Sequence, residues 1–281
     1  MKQVVLSHYQ AKVVLDAQRN GMGMVSVSLD LGLSTVQLPI DAQGLQLPDG
    51  NLLKWGDLEE IANSTSSCYV IEDGAPDAIQ YYSEATERVY SLYPTNGAPT
   101  MLVSGIPMHR IKDTDPHQDT LEKIRAIKPV VGQVLDTATG LGYTAIEAAR
   151  TAEHVTTVEL DPAALKVCRR NPWSQELFDT PKISQVIGDS FDVVAEMEAG
   201  RFTRVIHDPP TFSLAGDLYS AEFYRELYRV MRNRSQLFHY IGDPESKSGR
   251  SITAGVMRRL EQSGFRQVRR APRAFGVVAV K

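Results

Sequence analysis

From residue 131 onward the chain alternates short apolar runs with helical patterns. That rhythm restricts it to a parallel sheet covered by helices. The strand-like runs are QVLDTA, HVTTVEL, ISQVIG, RVIHD and QLFHYIG, and the helical patterns between them are YTAIEAARTA, PAALKVCRR, SFDVVAEME and SAEFYRELYRVM. A fifth helical pattern, SITAGVMRRLEQSG, leads to two closing strands, FRQVRR and FGVVAV, separated only by residues 271–274. A crossover between parallel neighbours needs about ten or more residues, so the last strand must run antiparallel to the one before it. The expected fold is therefore α/β: a Rossmann-like sheet of seven strands whose last strand is antiparallel.

Residues 1–100 follow a different rhythm and read as a small β-rich (α+β) domain of unassigned role. Strand-like runs QVVLSH, AKVVLD, MVSVSLDL and STVQLPI are separated by turn signals such as RNGMG and PDGN. LEEIANS reads as a short helix and CYVIED as a strand. AIQYYSEATERVYSLY reads as a helix with Ile79, Tyr82, Ala85, Val89 and Leu92 on one face. The loop PTNGAPT is the expected boundary, leaving 101–281 as the second domain. The first hundred residues carry 5 Lys/Arg against 12 Asp/Glu, whereas the rest carries 25 against 22. An acidic front part is a poor partner for a phosphate backbone; the arginine clusters at 229–234, 258–259 and 266–273 permit such binding without requiring it. Cys68 and Cys168 lack metal-ligand spacing and read as buried small hydrophobes of a cytoplasmic protein. No secretory signal and no membrane-length apolar run is expected.

The chemistry concentrates at strand ends. In VLDTATGLGYTAIEAAR a strand ends at Asp136 and Thr137, passes Gly140 and Gly142, and enters a helix at Tyr143. Glycines there let a ligand approach the backbone. Glu159 and Leu160 end the next strand, where an acid suits the hydroxyls of a ribose. Gly188, Asp189 and Ser190 end the third, where an acid suits an adenine amino group. Asp208 ends the fourth. Ligands of open α/β sheets bind beyond the carboxyl ends of the strands, and four acids there are hard to explain structurally. Ala145 stands where a third glycine of GxGxxG would be, and Asp136 suits an ammonium rather than a pyrophosphate. The ligand read from these residues is S-adenosylmethionine.

The fourth strand runs into IHDPPTF. Two prolines hold the backbone rigid, so that carbonyl oxygens and the Asp208 carboxylate offer fixed acceptors to the hydrogens of an amine. The layout resembles the class I S-adenosylmethionine-dependent methyltransferases, whose sheet carries this antiparallel end, and IHDPPTF is similar to the Asp/Asn-Pro-Pro-aromatic motif of their amino-methylating members. More closely, SGIPMHRIKDTDPHQDT, VLDTATGLGYTA, VTTVELDP, NPWS, IHDPPTFSLAGDLYSAEFYRELYRV and LFHYIGDP resemble a family of predicted methyltransferases best known from archaea. The resemblance spans about residues 101–281. It implies that Asp136, Gly140 and Gly142 line the methionine side of the cofactor, Glu159 the ribose and Asp189 the adenine, and that Asp208, Pro209 and Pro210 meet the acceptor. Thr211 separates the second proline from Phe212, which departs from the motif and weakens the case for base stacking.

Several polar residues complete the expectation. His207 and His239 end neighbouring strands and could face the crevice, His207 as a general base. His109, in a polar segment ahead of the sheet, and Tyr219, after the Pro-Pro turn, could touch substrate, as could Phe212 and His239. Asp119 could touch cofactor or substrate, or cap the helix DTLEKIRAI. No metal site is expected. The leading reading is methyl transfer from S-adenosylmethionine to an amino nitrogen of RNA or of a small amine. Aminopropyl transfer from decarboxylated S-adenosylmethionine competes with it, as does a non-catalytic cofactor- or RNA-binding module. The sequence leaves a homodimer open and gives no membrane partner.

Overall fold

The computed structural model describes residues 3–210, 215–243 and 245–281, apart from the side chains at 247 and 248. Residues 211–214, which include Phe212, lie outside the described residues. The chain forms two compact units, residues 1–117 with 163–175, and residues 118–162 with 176–281.

The first unit is built on small antiparallel sheets, in orders that include a three-stranded and a four-stranded sheet. Two segments depart from the sequence reading. AKVVLD is helical, inside His8–Arg19, because Ser7 and Gln10 form a reciprocal capping box and Ala11, Val14 and Leu15 bury one helical face. AIQYYSEATERVYSLY is a hairpin, Gln80–Ser83 against Arg88–Tyr93. Tyr90 and Leu92 are buried while their neighbours are not, so period two wins over the apparent helical face. Both cysteines are buried and free. No described helix is long and apolar enough to cross a membrane.

The second unit carries the seven-stranded sheet. Its strands are β1 (Gln133–Asp136), β2 (His154–Glu159), β3 (Ile183–Ile187), β4 (Phe202–His207), β5 (Met231–Tyr240), β6 (Arg266–Ala271) and β7 (Gly276–Val280). Their order across the sheet is β3-β2-β1-β4-β5-β7-β6. Strands β1 to β5 run parallel, and β7 pairs antiparallel with both β5 and β6. The hairpin expected from the four-residue spacing is thus present. From residue 116 onward the longer helices are α1 (Pro116–Ala126), α2 (Tyr143–Ala149), α3 (Pro162–Arg170), α4 (Ser190–Ala195), α5 (Ala221–Val230) and α6 (Lys247–Gln262). One face of the sheet buries Leu135, Val205, Leu237, Val277 and Ala279 against Phe223, Leu227, Val256 and Leu260 of α5 and α6.

Strand order reverses between β1 and β4, which places their carboxyl ends side by side at the sheet's switch point. Thr137 N–H donates to the Ile206 carbonyl at 3.0 Å and extends that pairing past the end of β1. The chain then turns into a helix at Gly142, whose φ of +76° is left-handed and whose missing Cβ would lie 2.8 Å from Leu177 Cδ2. Only glycine meets both conditions there without rearrangement.

Candidate active site

Asp136, at the end of β1, is fully buried. Its Oδ2 accepts from the Thr144 hydroxyl at 3.0 Å and the Thr157 hydroxyl at 3.1 Å. Its Oδ1 has no hydrogen-bond partner among the described residues. Burial pushes this carboxyl up to about 7, against the pull of the two threonines and of the nearby Ala138 N–H, which does not reach hydrogen-bond geometry to Oδ1, and the Asp208 carboxylate adds to the rise.

Glu159 ends β2 and ties the glycine loop down. Its carboxylate accepts from Gly140 N–H at 3.0 Å and Asp161 N–H at 3.1 Å. Burial raises it to about 7 although those bonds favour the charged form. Gly140 itself has φ +53° and nothing within 4 Å of where a Cβ would stand, so the loop presents bare backbone to open space. Two large apolar side chains flank Glu159: Leu160 is 52% exposed, and Ile187, its counterpart at the end of β3, is 48% exposed. Ile187 was not among the sequence-derived candidates; an apolar residue immediately before Gly188 was the available signal. Asp189 is exposed and caps the helix Ser190–Ala195 through Oδ1, which accepts from Phe191 N–H at 2.8 Å.

The Thr137 and Ser190 hydroxyls are engaged within the protein. Ser190 Oγ donates to the Thr137 carbonyl at 2.5 Å, and the Thr137 hydroxyl bonds His207 Nδ1 at 2.7 Å. Both residues bind the loop to the sheet. Tyr143 is likewise buried in the first turn of the helix Tyr143–Ala149.

Asp208 is anchored from a distance. Lys123 lies on α1 (Pro116–Ala126), and its Nζ stands 2.6 Å from Asp208 Oδ2 and 2.8 Å from Asp119 Oδ2. It also lies 4.5 Å from the centre of the Tyr240 ring. Lys123 and Asp119 are both buried, and the Asp208 side chain is 15% exposed. Burial alone would lower the lysine pKa, but the Asp208 and Asp119 carboxylates outweigh it and hold the ammonium charged above its ordinary range. Burial raises Asp208, the Lys123 ammonium offsets only part of that rise, and the Asp119 carboxylate adds to it. Asp208 Oδ1 keeps no protein partner among the described residues. Asp119 is therefore one arm of a buried ion triad and not a helix cap; Asp115 accepts from His117 N–H at 2.9 Å instead. The sequence offered only the DxxxK spacing of DTLEKIRAI for Lys123, a four-residue step that is also common in surface helices.

The histidines turn inward. His207 is 0% exposed; its Nε2 donates to the Leu218 carbonyl at 2.9 Å and its Nδ1 accepts from Thr137. Burial pushes it down to about 3. His239 is equally buried, bonds the Tyr224 hydroxyl through Nε2 at 2.8 Å, and is held neutral by burial and by the adjacent His207. Their rings lie 4.3 Å apart as register partners on β4 and β5. Neither presents a nitrogen to solvent, so the expectation of a catalytic His207 and a substrate-binding His239 is corrected: they are core groups. Tyr219 is corrected in the same way. It is buried, and its hydroxyl donates to the Pro210 carbonyl at 3.1 Å, bracing the turn from beneath. Pro209 is buried and Pro210 half-buried. His109 belongs to the first unit, where its Nδ1 bonds the Thr100 hydroxyl at 3.0 Å.

This unit therefore gathers Asp136, Glu159 and Asp208 at the carboxyl edge of the sheet. Asp119 and Asp208 share one buried cation, Lys123, and Asp136 lies close enough to Asp208 to feel its charge, so the edge favours a positively charged ligand. The fold has counterparts among solved structures. A spermidine synthase in complex with the transition state analogue AdoDATO superposes with TM-score 0.58 at 18% identity, covering 75% of this chain and 77% of that one. Spermidine synthase from Thermotoga maritima superposes with TM-score 0.57 at 17% identity, covering 79% and 82%. In sequence, a polyamine aminopropyltransferase of Sulfurisphaera tokodaii is 32% identical over 88 residues, 30% of this chain and 29% of that one. A family model described as conserved hypothetical protein 95 matches residues 118–232. The uncharacterized protein MJ1233 of Methanocaldococcus jannaschii is 44% identical over 238 residues, 84% of this chain and 81% of its own length, and the present chain belongs to its family.

Proposed function

We propose that this protein transfers a methyl group from S-adenosylmethionine to an amino nitrogen. The observation that carries the reading is the buried, unpartnered Oδ1 of Asp136 at the end of β1. A buried carboxylate oxygen without a partner is costly, and the ammonium of an amino-acid tail would satisfy it. Glu159 would accept from the ribose hydroxyls, Leu160 and Ile187 would flank the flat purine, and Asp189 would offer its uncommitted Oδ2 to the purine amino group. Bound there, S-adenosylmethionine supplies an electrophilic methyl carbon on a sulfonium centre.

Asp208 performs the protein's part of the reaction. Its Oδ1 accepts an N–H of the incoming amine and turns the nitrogen lone pair toward the sheet edge; the proton shed by the methylated nitrogen would pass along that hydrogen bond to solvent, with S-adenosylhomocysteine as the leaving product. The Lys123 bond to Oδ2 fixes the carboxylate plane, and its ammonium counters part of the rise that burial imposes on the carboxyl. Tyr219 and the two prolines hold the turn, so orientation rather than acid–base exchange supplies the acceleration. Calorimetric titration tests this directly. S-adenosylmethionine should bind the native protein, Asp136→Asn should abolish that heat, and Asp208→Asn should bind but not transfer label. Absence of binding to the native protein sinks the reading.

Aminopropyl transfer is the second reading. It is favoured by the likeness to aminopropyltransferases and by the electrostatic balance, because three carboxylates against one lysine would repel the tail carboxylate that the decarboxylated donor lacks. Competition binding separates the two: preference for the decarboxylated nucleoside replaces methyl transfer with aminopropyl transfer.

A further inference from the structure

Residues 258–273 contain six arginines, no lysine and one acid, Glu261, in a chain of net charge -4. They form the end of α6 and the edge strand β6. Arg258, Arg266, Arg269 and Arg270 are exposed, and no ion pair or side-chain hydrogen bond among the described residues takes any of them.

A bulge in β6 organises this rim. Arg266 pairs with Val280 and Arg269 with Val278, so three steps on β6 span two on β7. The extra residue, Gln267 with φ +50°, shifts the phase of alternation. Arg266 and Arg269 therefore lie on the same face of the sheet, about 7 Å apart along the strand. Without the bulge they would point to opposite faces. Arg270 pairs with Val277, which belongs to the core face under α5 and α6, the side on which Arg258 also stands. The guanidiniums thus wrap the sheet edge from both sides.

Register ties the rim to the site. His207 pairs with His239, His239 with Val277, and Val277 with Arg270, forming one row across four strands. Three inter-strand steps put Arg270 about 14 Å from the strand that ends in Asp208, at the same level of the sheet.

We propose that this arginine rim binds the phosphate backbone of an RNA strand. Lysine would serve equally well to keep an edge strand from pairing with another copy. Arginine alone offers the planar fork that matches phosphate oxygens in pairs. RNA is the occupant because its unpaired loops expose the amino groups of bases, and such amino groups are already neutral. With His207 and His239 sealed in the core, the site lacks the group best suited to deprotonate an alkylammonium. On the reading of methyl transfer given above, the rim would bring a base amino group to Asp208.

Fluorescence anisotropy with a labelled single-stranded RNA of about 20 nucleotides tests the rim without relying on turnover. The native protein should bind, with affinity falling steeply between 50 and 200 mM salt. Combined Arg266→Gln, Arg269→Gln and Arg270→Gln should weaken binding at least tenfold and reduce the log–log salt slope by about 2, from three contacts at about 0.7 each. The same variant should keep the native thermal melt and S-adenosylmethionine heat. Failure of the native protein to bind RNA at low salt overturns the proposal, as does an unchanged slope in the variant. Binding to phosphatidylglycerol vesicles in place of RNA overturns it too, as does a change in oligomeric state with RNA affinity intact. Loss of cofactor binding with RNA binding retained would sink methyl transfer and leave the rim standing.

Discussion

Replacing Lys123 with methionine removes the cation held between the buried Asp119 carboxylate and the partly exposed Asp208 carboxylate. Native Lys123 stands 2.8 Å from Asp119 and 2.6 Å from Asp208, with little solvent around it. Breaking a buried ion pair by deleting one partner typically costs 3–5 kcal/mol, because the remaining charge stays buried without compensation. Asp208 is partly exposed and can relax toward water, which puts the expected loss near the lower end, about 3 kcal/mol. The pH dependence follows from the same charges. The folded pKa of Lys123 is raised, so its contribution is fully present below the unfolded lysine value and is lost only as pH rises through the folded one. At neutral pH the full loss should therefore appear. It should shrink in acid, where Asp208, whose carboxyl burial raises above the usual carboxylate range, takes up a proton and no longer needs a counter-charge. Urea denaturation of native and Lys123→Met proteins at pH 7 and pH 4 measures both. Adding Asp119→Leu and Asp208→Leu should recover most of the stability, since an apolar triad needs no cation. A loss below about 1 kcal/mol at pH 7, equal at both pH values, would refute the description of a buried, mutually dependent triad.

Asp136, raised to about 7, gives two further expectations. Its folded pKa lies above the unfolded value, so its stabilising contribution is complete in acid below that value and is lost as pH rises through about 7; Asp136→Asn should flatten that fall in thermal melts. An ammonium needs the charged form, so S-adenosylmethionine affinity should drop about tenfold per pH unit below 7, as read by calorimetry. Gly142→Ala should destabilise by about 1–2 kcal/mol in denaturant titration, because alanine must adopt φ +76° with its Cβ against Leu177. Tyr219→Phe should cost about 1 kcal/mol through the lost bond to the Pro210 carbonyl, and should lower turnover while leaving cofactor affinity intact.

Local pattern carried the sheet. Alternating strands and helices, and a final pair too close for a crossover, imply the seven-stranded arrangement and its antiparallel end, both of which are present. Acids at successive strand ends fall where parallel strands must deliver them, so Asp136, Glu159 and Asp208 reach one edge. Local pattern failed where two periods fit the same letters. AKVVLD satisfies a strand until the Ser7 cap commits it to a helix, and 78–93 satisfies a helix until the hairpin pairs it. It failed also for the histidines, because the two faces of a strand are equivalent until a helix covers one of them.

What the sequence determined alone was therefore the order of elements and the row of carboxylates, since both follow from spacing along the chain. The tertiary structure alone decided which of those groups are available. Lys123 meets Asp208 across 85 residues, Tyr219 reaches back to Pro210, and a bulge turns two arginines to one side. Burial and pairing arise between segments distant in sequence, and they set whether a polar group binds a ligand or holds the frame.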